Sequence, residues 1–244
     1  MKICKLTTFT CIVASFFSTT SFAYLSLKGE DMPTTVTAPH NWTGFYAGLN
    51  AGAVNHTMNI TDTQAVTFNA TIQQVSNPKL TGGFQVGYRR QVDLTKASGV
   101  YGAELSANFA NATFNKQYGS AFALYQLNAE NKLQTLCLLQ LTGGIAADKT
   151  LLFIAAGLSW ANLSGNVTNV DGVPFFNSFN VGKKELGTAI SGGIEYAYND
   201  NISGRFKVDV ITPNTYSTLD NAGNSYEISN TIVQGTVGVN YKFI

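Results

Sequence analysis

Ile202-Ser203-Gly204-Arg205-Phe206-Lys207-Val208-Asp209-Val210 places a charge at every second position from Arg205 and an apolar side chain between each. Helical periodicity would scatter Arg205, Lys207 and Asp209 around the axis. A strand, with its period of two, puts them on one face and Phe206, Val208 and Val210 on the other. The stretch therefore reads as a strand with one charged and one apolar face.

Seven other segments repeat the pattern. Phe45, Ala47, Leu49, Ala51 and Ala53 alternate with Tyr46, Gly48, Asn50 and Gly52. Phe84, Val86 and Tyr88 alternate with Gln85, Gly87 and Arg89, and Tyr101, Ala103, Leu105 and Phe109 with Gly102, Glu104, Ser106 and Asn108. Leu133, Cys137, Leu139 and Leu141 stand against Gln134, Gln140 and Thr142. Leu152, Ile154, Leu158 and Trp160 share a face. Ile190, Ile194, Tyr196 and Tyr198 oppose Ser191, Gly193 and Glu195, and Val237, Val239, Tyr241 and Phe243 oppose Thr236, Asn240 and Lys242. Leu136, Leu138, Leu151 and Phe153 break the polar face of the fourth and fifth segments. Each segment is long enough to cross a bilayer as a tilted strand of ~9–11 residues.

Composition agrees. Charged residues make up 12% of the 244, against ~25% in a typical soluble domain. Aromatics at 12% argue against disorder, and a net charge of +1 excludes a strongly basic nucleic-acid binder. The start, Met1-Lys2-Ile3-Cys4-Lys5, an apolar run to about Phe17 and Ser21-Phe22-Ala23 form a secretory signal peptide over residues 1–23. Its removal leaves Cys137 as the one remaining cysteine of three, so no internal disulfide staples the fold. The longest apolar run, 151–158, is far short of the ~20 residues of a spanning helix. The expected organisation is a signal peptide (1–23), an irregular extension (24–40) and a barrel domain (41–244). The fold class is all-β, an eight-stranded antiparallel up-and-down transmembrane β-barrel.

Connections 91–98, 143–150 and 199–201 are short; 55–78, 111–126, 163–184 and 213–226 are long. Short turns at one rim and long loops at the other are the outer-membrane pattern, with both barrel ends in the periplasm and the long loops outside. The strand glycines fall mostly on the inward face, where a narrow barrel is crowded. Trp42, Phe45, Tyr88, Tyr101, Trp160, Tyr196, Tyr198, Tyr241 and Phe243 lie near strand ends, as interfacial girdles do.

The opening Asn41-Trp42-Thr43-Gly44-Phe45-Tyr46-Ala47-Gly48-Leu49-Asn50-Ala51-Gly52 resembles the first strand of small outer-membrane proteins of the opacity/Omp25 type, and Val237-Gly238-Val239-Asn240-Tyr241-Lys242-Phe243 resembles their final strand. The chain departs from that family by ending in Ile244 rather than an aromatic. The resemblance implies a porin-like eight-stranded barrel in a Gram-negative outer membrane, delivered by the barrel assembly machinery, with surface loops that in some relatives contact host cells. It implies no catalytic residues.

The inward charges are Arg89, Lys132, Arg205, Lys207 and Lys242 against Glu104, Glu130, Glu195 and Asp209. A turn around Asp200 sets Glu195 opposite Arg205, and Arg89 and Glu104 flank the next turn similarly. A structural network is the expected role, because so small a barrel lacks a porin-width lumen; an ion path gated by a salt bridge is the alternative. His40 and His56 read as solvated and are not at metal-ligand spacing. His56 with Asp62 or Asp220 is a conceivable site for a lipid-modifying enzyme, unsupported by any nucleophile motif. Pro174, Phe175, Phe176 and Phe179 form a possible surface contact loop. The expected protein is thus a non-catalytic, monomeric outer-membrane barrel, structural or presenting loops to a host surface or to lipopolysaccharide, with no cofactor and no metal. A narrow passive channel and a soluble ligand-binding barrel are the alternatives.

Overall fold

The computed structural model describes residues 40–62, 71–75, 77–93, 97–120, 123–169, 179–180, 183–219 and 225–243. The signal peptide, the extension up to residue 39 and Ile244 lie outside them. The strands are β1 (Gly44–Asp62), β2 (Thr71–Val75), β3 (Lys79–Asp93), β4 (Ser98–Ser120), β5 (Ala123–Ala147), β6 (Thr150–Asn169), β7 (Phe179–Asn180), β8 (Lys183–Ala197), β9 (Ile202–Pro213), β10 (Tyr216–Leu219) and β11 (Ser225–Lys242). Eight of them, β1, β3, β4, β5, β6, β8, β9 and β11, pair antiparallel in chain order, and β11 closes on β1. The fold is an all-β, closed, eight-stranded barrel. The short strands β2, β7 and β10 pair with β1, β6 and β11.

One rim carries tight turns. Asp148 adopts a positive φ of 52° between β5 and β6, a conformation that Asp tolerates better than most residues. Between β8 and β9 the Asn199 side chain accepts from the backbone N–H of Asn201 (3.0 Å) and Ile202 (2.7 Å), closing an Asx turn. At the other rim the strands run further than expected. β4 and β5 continue through 111–126 to Ser120 and Ala123, and β1 reaches Asp62. The end of β1 keeps the period of two, and the Asn- and Thr-rich ends of all three strands satisfy their backbone in the ladder instead of in loops.

The outward side chains form an apolar band. Leu49, Leu80, Leu141, Ile154, Ile190 and Val237 are each at least 60% exposed, a surface that water would not tolerate. On β1 the band runs from Phe45 to Ala53, and on β8 from Leu186 to Tyr196. At ~3.3 Å per residue and a tilt near ~40°, those lengths give a height of about 20–30 Å, matching the ~25 Å of an outer-membrane barrel. Phe45 against Tyr88 (4.8 Å) and Tyr241 against Phe243 (5.3 Å) edge it at the turn rim. Above it, the outward positions of β1 become Asn55, Thr57, Asn59 and Thr61. Apolar outside and charged inside is the polarity of a membrane-spanning barrel, the reverse of a soluble one.

Candidate functional site: the barrel interior

The inward faces stack in layers. At the turn rim Trp42, Val100, Ala146, Leu151, Phe153 and Ala197 pack together. Above them lies a charged layer. Above that, Val54, Ala110, Leu133, Leu136, Leu138, Ala161, Leu163, Ala189, Ile211 and Ile232, each no more than 2% exposed, fill the lumen from seven of the eight barrel strands. The leucines that broke the polar face in the sequence, and Phe153, are therefore the apolar layers themselves. Trp42, expected in the outer girdle, is 3% exposed and inside the barrel mouth. Its backbone N–H donates to Gln91 Oε1 (2.9 Å), which draws the residue inward before β1 begins.

The charged layer holds three cations, Arg89, Arg205 and Lys207, and three anions, Glu104, Glu195 and Asp209, all buried. Glu195 does stand opposite Arg205 in the ladder. The ion pairs, however, form across the lumen. Arg89 donates to Glu195 at 2.7 Å, and Arg205 grips Glu104 with both terminal nitrogens, Nη2 at 3.2 Å. Arg205 Nε lies 4.0 Å from Glu195. Arg89 and Glu104 are offset in register, each facing a glycine (Gly102 and Gly87), so the expected contact beside that turn does not form. In so narrow a barrel, a long side chain reaches the opposite wall as easily as its neighbour.

Lys207 Nζ bridges Glu104 (3.1 Å), Asp209 (3.0 Å) and Gln140 (2.7 Å). Tyr46 donates its hydroxyl to Glu104 (2.6 Å), Ser203 and Asn240 donate to Glu195 (2.5 and 2.9 Å), and Ser191 donates to Asp209 (2.6 Å). Arg89 also lies 4.1 Å from the Tyr46 ring centroid, and Arg205 4.4 Å from that of Phe153. Every carboxylate is thus held by at least one cation and one neutral donor, which is what buried charges require. The free space beside the layer, lined by Asn50, Ser106, Asn108 and Thr236 among others, is about 10 Å³, the room of roughly one water.

The inward glycines make this crowding possible. A Cβ on Gly193 would lie 2.6 Å from the Phe153 ring, and one on Gly87 2.6 Å from the Tyr46 ring.

Two charges of the expected set fall elsewhere, and a third is outside the described side chains. A β-bulge between Leu133 and Thr135 shifts the phase of β5, so Leu133 turns inward and Lys132 outward, half-exposed. Lys242 lies at the turn rim, where its ammonium donates to the Asn41 carbonyl. The side chain of Glu130 is outside the described residues, as are Pro174, Phe175 and Phe176; Phe179 belongs to β7, where it pairs with Val167.

Both histidines are buried, contrary to the sequence reading. His40 stacks edge-on against Trp42 at 4.6 Å. Burial and nearby Lys242 hold its pKa below the usual value, against the pull of Asp200. His56 lies on β1 beyond the apolar band, 2% exposed, its Nε2 3.0 Å from Asn230 Oδ1. Burial lowers its pKa to about 4, opposed by that hydrogen bond. Asn230 also donates to buried Glu185 (3.2 Å). Tyr216 is pushed up by burial and by Glu185. The inward phase of β1, continued past Ala53, was the signal that could have placed His56 inside.

No protein-family model matches the chain, and no curated protein matches it. Among solved structures, it is similar to the outer membrane protease OmpT from Escherichia coli (11% identity, 86% of this chain and 100% of that one, TM-score 0.49). It is also similar to the outer membrane protein OprG from Pseudomonas aeruginosa (14% identity, 84% and 98%, TM-score 0.49). A third likeness is to Ail, the attachment invasion locus protein of Yersinia pestis (9% identity, 82% and 99%, TM-score 0.36).

Proposed function

We propose that the chain is a non-catalytic, monomeric integral protein of a Gram-negative outer membrane, with a closed lumen, its turn rim and both barrel ends in the periplasm and its polar strand extensions outside. The observation that carries this reading is a lipid-facing apolar band around an interior shut by an aliphatic layer. Such a barrel contributes to the envelope as a wall and as a platform for its outer loops. The finer reading, a surface protein of the opacity/Omp25 type that meets host or envelope components, rests on the first-strand motif from Trp42 to Gly52 and on the polar extensions of β1, β4 and β5. The final strand to Phe243 would be read by the assembly machinery.

The aliphatic layer weighs against the channel reading. Ions would have to cross ten side chains, none more than 2% exposed, as well as the neutral charged layer below. The test is fractionation with heat-modifiable gel mobility, followed by planar-bilayer recording. The expected result is an outer-membrane band whose mobility shifts on boiling, with no steady openings. Recovery in a detergent-free periplasmic extract would overturn the membrane assignment. Steady openings abolished by Arg205→Ala would overturn the closed lumen.

A further inference from the structure

Just beyond the apolar band, the outward face of β5, β6 and β8 differs from that of β1, β9 and β11. Trp160 on β6 and Leu186 on β8, paired and 53% and 62% exposed, mark the band's upper edge there. The next outward positions are polar and basic. Lys184 pairs with Asn162, and Lys132 pairs with Ser164 one outward step further along β6. Two strand spacings of ~4.8 Å across and one outward step of ~6.8 Å along put the two lysine Cα atoms about 12 Å apart, on either side of β6. Between them the Asn162 amide donates to Gln134 Oε1 (3.1 Å), so the polar floor of the patch is already ordered. The bulge that turns Lys132 outward also exposes Gln134.

On β1, β9 and β11 the corresponding described outward residues are neutral: Asn55 and Thr57 on β1, Thr212 on β9, Ser229 and Thr231 on β11. The next charge on β11 is negative, Glu227. Among the described side chains, β5, β6 and β8 present no outward acid at this level, since Glu185 is turned inward and buried; the side chain of Glu130, two residues before Lys132, is outside them. A pair of ammonium groups beside an aromatic edge, at the depth where hydrocarbon gives way to headgroups, is complementary to a phosphate carried on a lipid. At such a boundary lysine stems lie along apolar surface while their tips reach the charge.

We propose that this face, centred on Lys132 and Lys184 with Gln134 and Asn162 between them, binds the phosphorylated headgroup of an outer-leaflet glycolipid. The proposal rests on the membrane reading above and goes beyond it by naming the lipid class and its contact residues. It makes one sector of the barrel a fixed lipid site, so the protein carries a preferred glycolipid neighbour.

The test refolds the chain into phosphatidylcholine vesicles with increasing mole fractions of diphosphorylated lipid A, or of the same glycolipid stripped of phosphate. The readout is the temperature at which the folded gel band converts to the unfolded one. Diphosphorylated lipid A raises that temperature saturably, and the stripped glycolipid does not. Lys132→Ala with Lys184→Ala raises the half-saturating mole fraction by about twenty-fivefold, at roughly fivefold per lysine. Lys132→Arg with Lys184→Arg keeps it. Lys79→Ala, an exposed lysine at the top of β3, leaves it unchanged. Equal loss in Lys79→Ala, or equal stabilisation by the stripped glycolipid, overturns the site and leaves the membrane reading intact. The same shift from inorganic phosphate without glycolipid overturns the lipid assignment. Failure of the wild-type chain to insert into any vesicle overturns both readings.

Discussion

Removing the Glu104 carboxylate is the sharpest perturbation of the interior. Glu104 accepts from the Tyr46 hydroxyl (2.6 Å), from Lys207 (3.1 Å) and from both terminal nitrogens of Arg205. Glu104→Ala leaves three cations against two anions beside free space for about one water. The damage is unequal. Lys207 keeps Asp209 at 3.0 Å and Gln140 at 2.7 Å, whereas Arg205 keeps only the more distant Glu195, 4.0 Å from its Nε. An uncompensated buried charge costs about 3–5 kcal/mol, so Glu104→Ala should lower the unfolding free energy by about 4 kcal/mol, nearly three decades in the folding equilibrium. Glu104→Gln keeps an acceptor and should lose about half of that. The diagnostic variant is Glu104→Ala combined with Arg205→Ala, which restores a balance of two against two. It should cost at least about 2 kcal/mol less than the sum of the single changes. The assay is urea unfolding of the vesicle-inserted protein, read by heat-modifiable mobility and tryptophan fluorescence. Exposed Glu227→Ala should stay within about 0.5 kcal/mol of wild type. A Glu104→Ala loss below about 1 kcal/mol, or strict additivity in the double variant, would refute the cross-lumen pairing.

Three further outcomes follow from single positions. His56 has its folded-state pKa near 4, below the ~6.5 of an unfolded histidine, so the unfolded chain binds the proton first. Its contribution is complete above about pH 6.5 and is lost as pH falls toward 4, by up to about 3 kcal/mol; urea midpoints across that range should fall in wild type and flatten in His56→Gln. Gly193→Val should drive its side chain into Phe153 and cost at least about 1–3 kcal/mol, while Gly204→Ala, with open space around it, should be near neutral; both are read from the same urea transitions. Leu138→Ala empties part of the aliphatic layer and should cost about 2–5 kcal/mol in that assay.

The strand architecture was legible because lipid contact imposes a period of two on every segment, and that signal is local. The register of Glu195 against Arg205 was legible for the same reason, since a tight turn at Asp200 fixes it. The partners were not. Whether Arg89 meets Glu104 or Glu195 depends on lumen width and on which walls face each other, and neither is written along the chain. Leu136, Leu138, Leu151 and Phe153 read as faults in the polar face because alternation says which way a residue points but not which layer it enters. Lys132 was misplaced by a single bulged residue, which inverts the phase of everything beyond it. His40 and His56 read as solvated because the apolar face of β1 gives way to polar residues past Ala53 and no local pattern shows that residues before β1 fold into the barrel mouth.

The central claim is an inside-out polarity, and the two tryptophans report on it directly. Trp160 is 53% exposed on the outward face, and Trp42 is 3% exposed inside. The measurement is fluorescence quenching by brominated acyl chains in vesicles holding single-tryptophan variants. Trp42→Phe, which retains Trp160, should be quenched strongly, and Trp160→Phe, which retains Trp42, only weakly. Equal quenching of the two, or stronger quenching of Trp42 than of Trp160, would contradict the account.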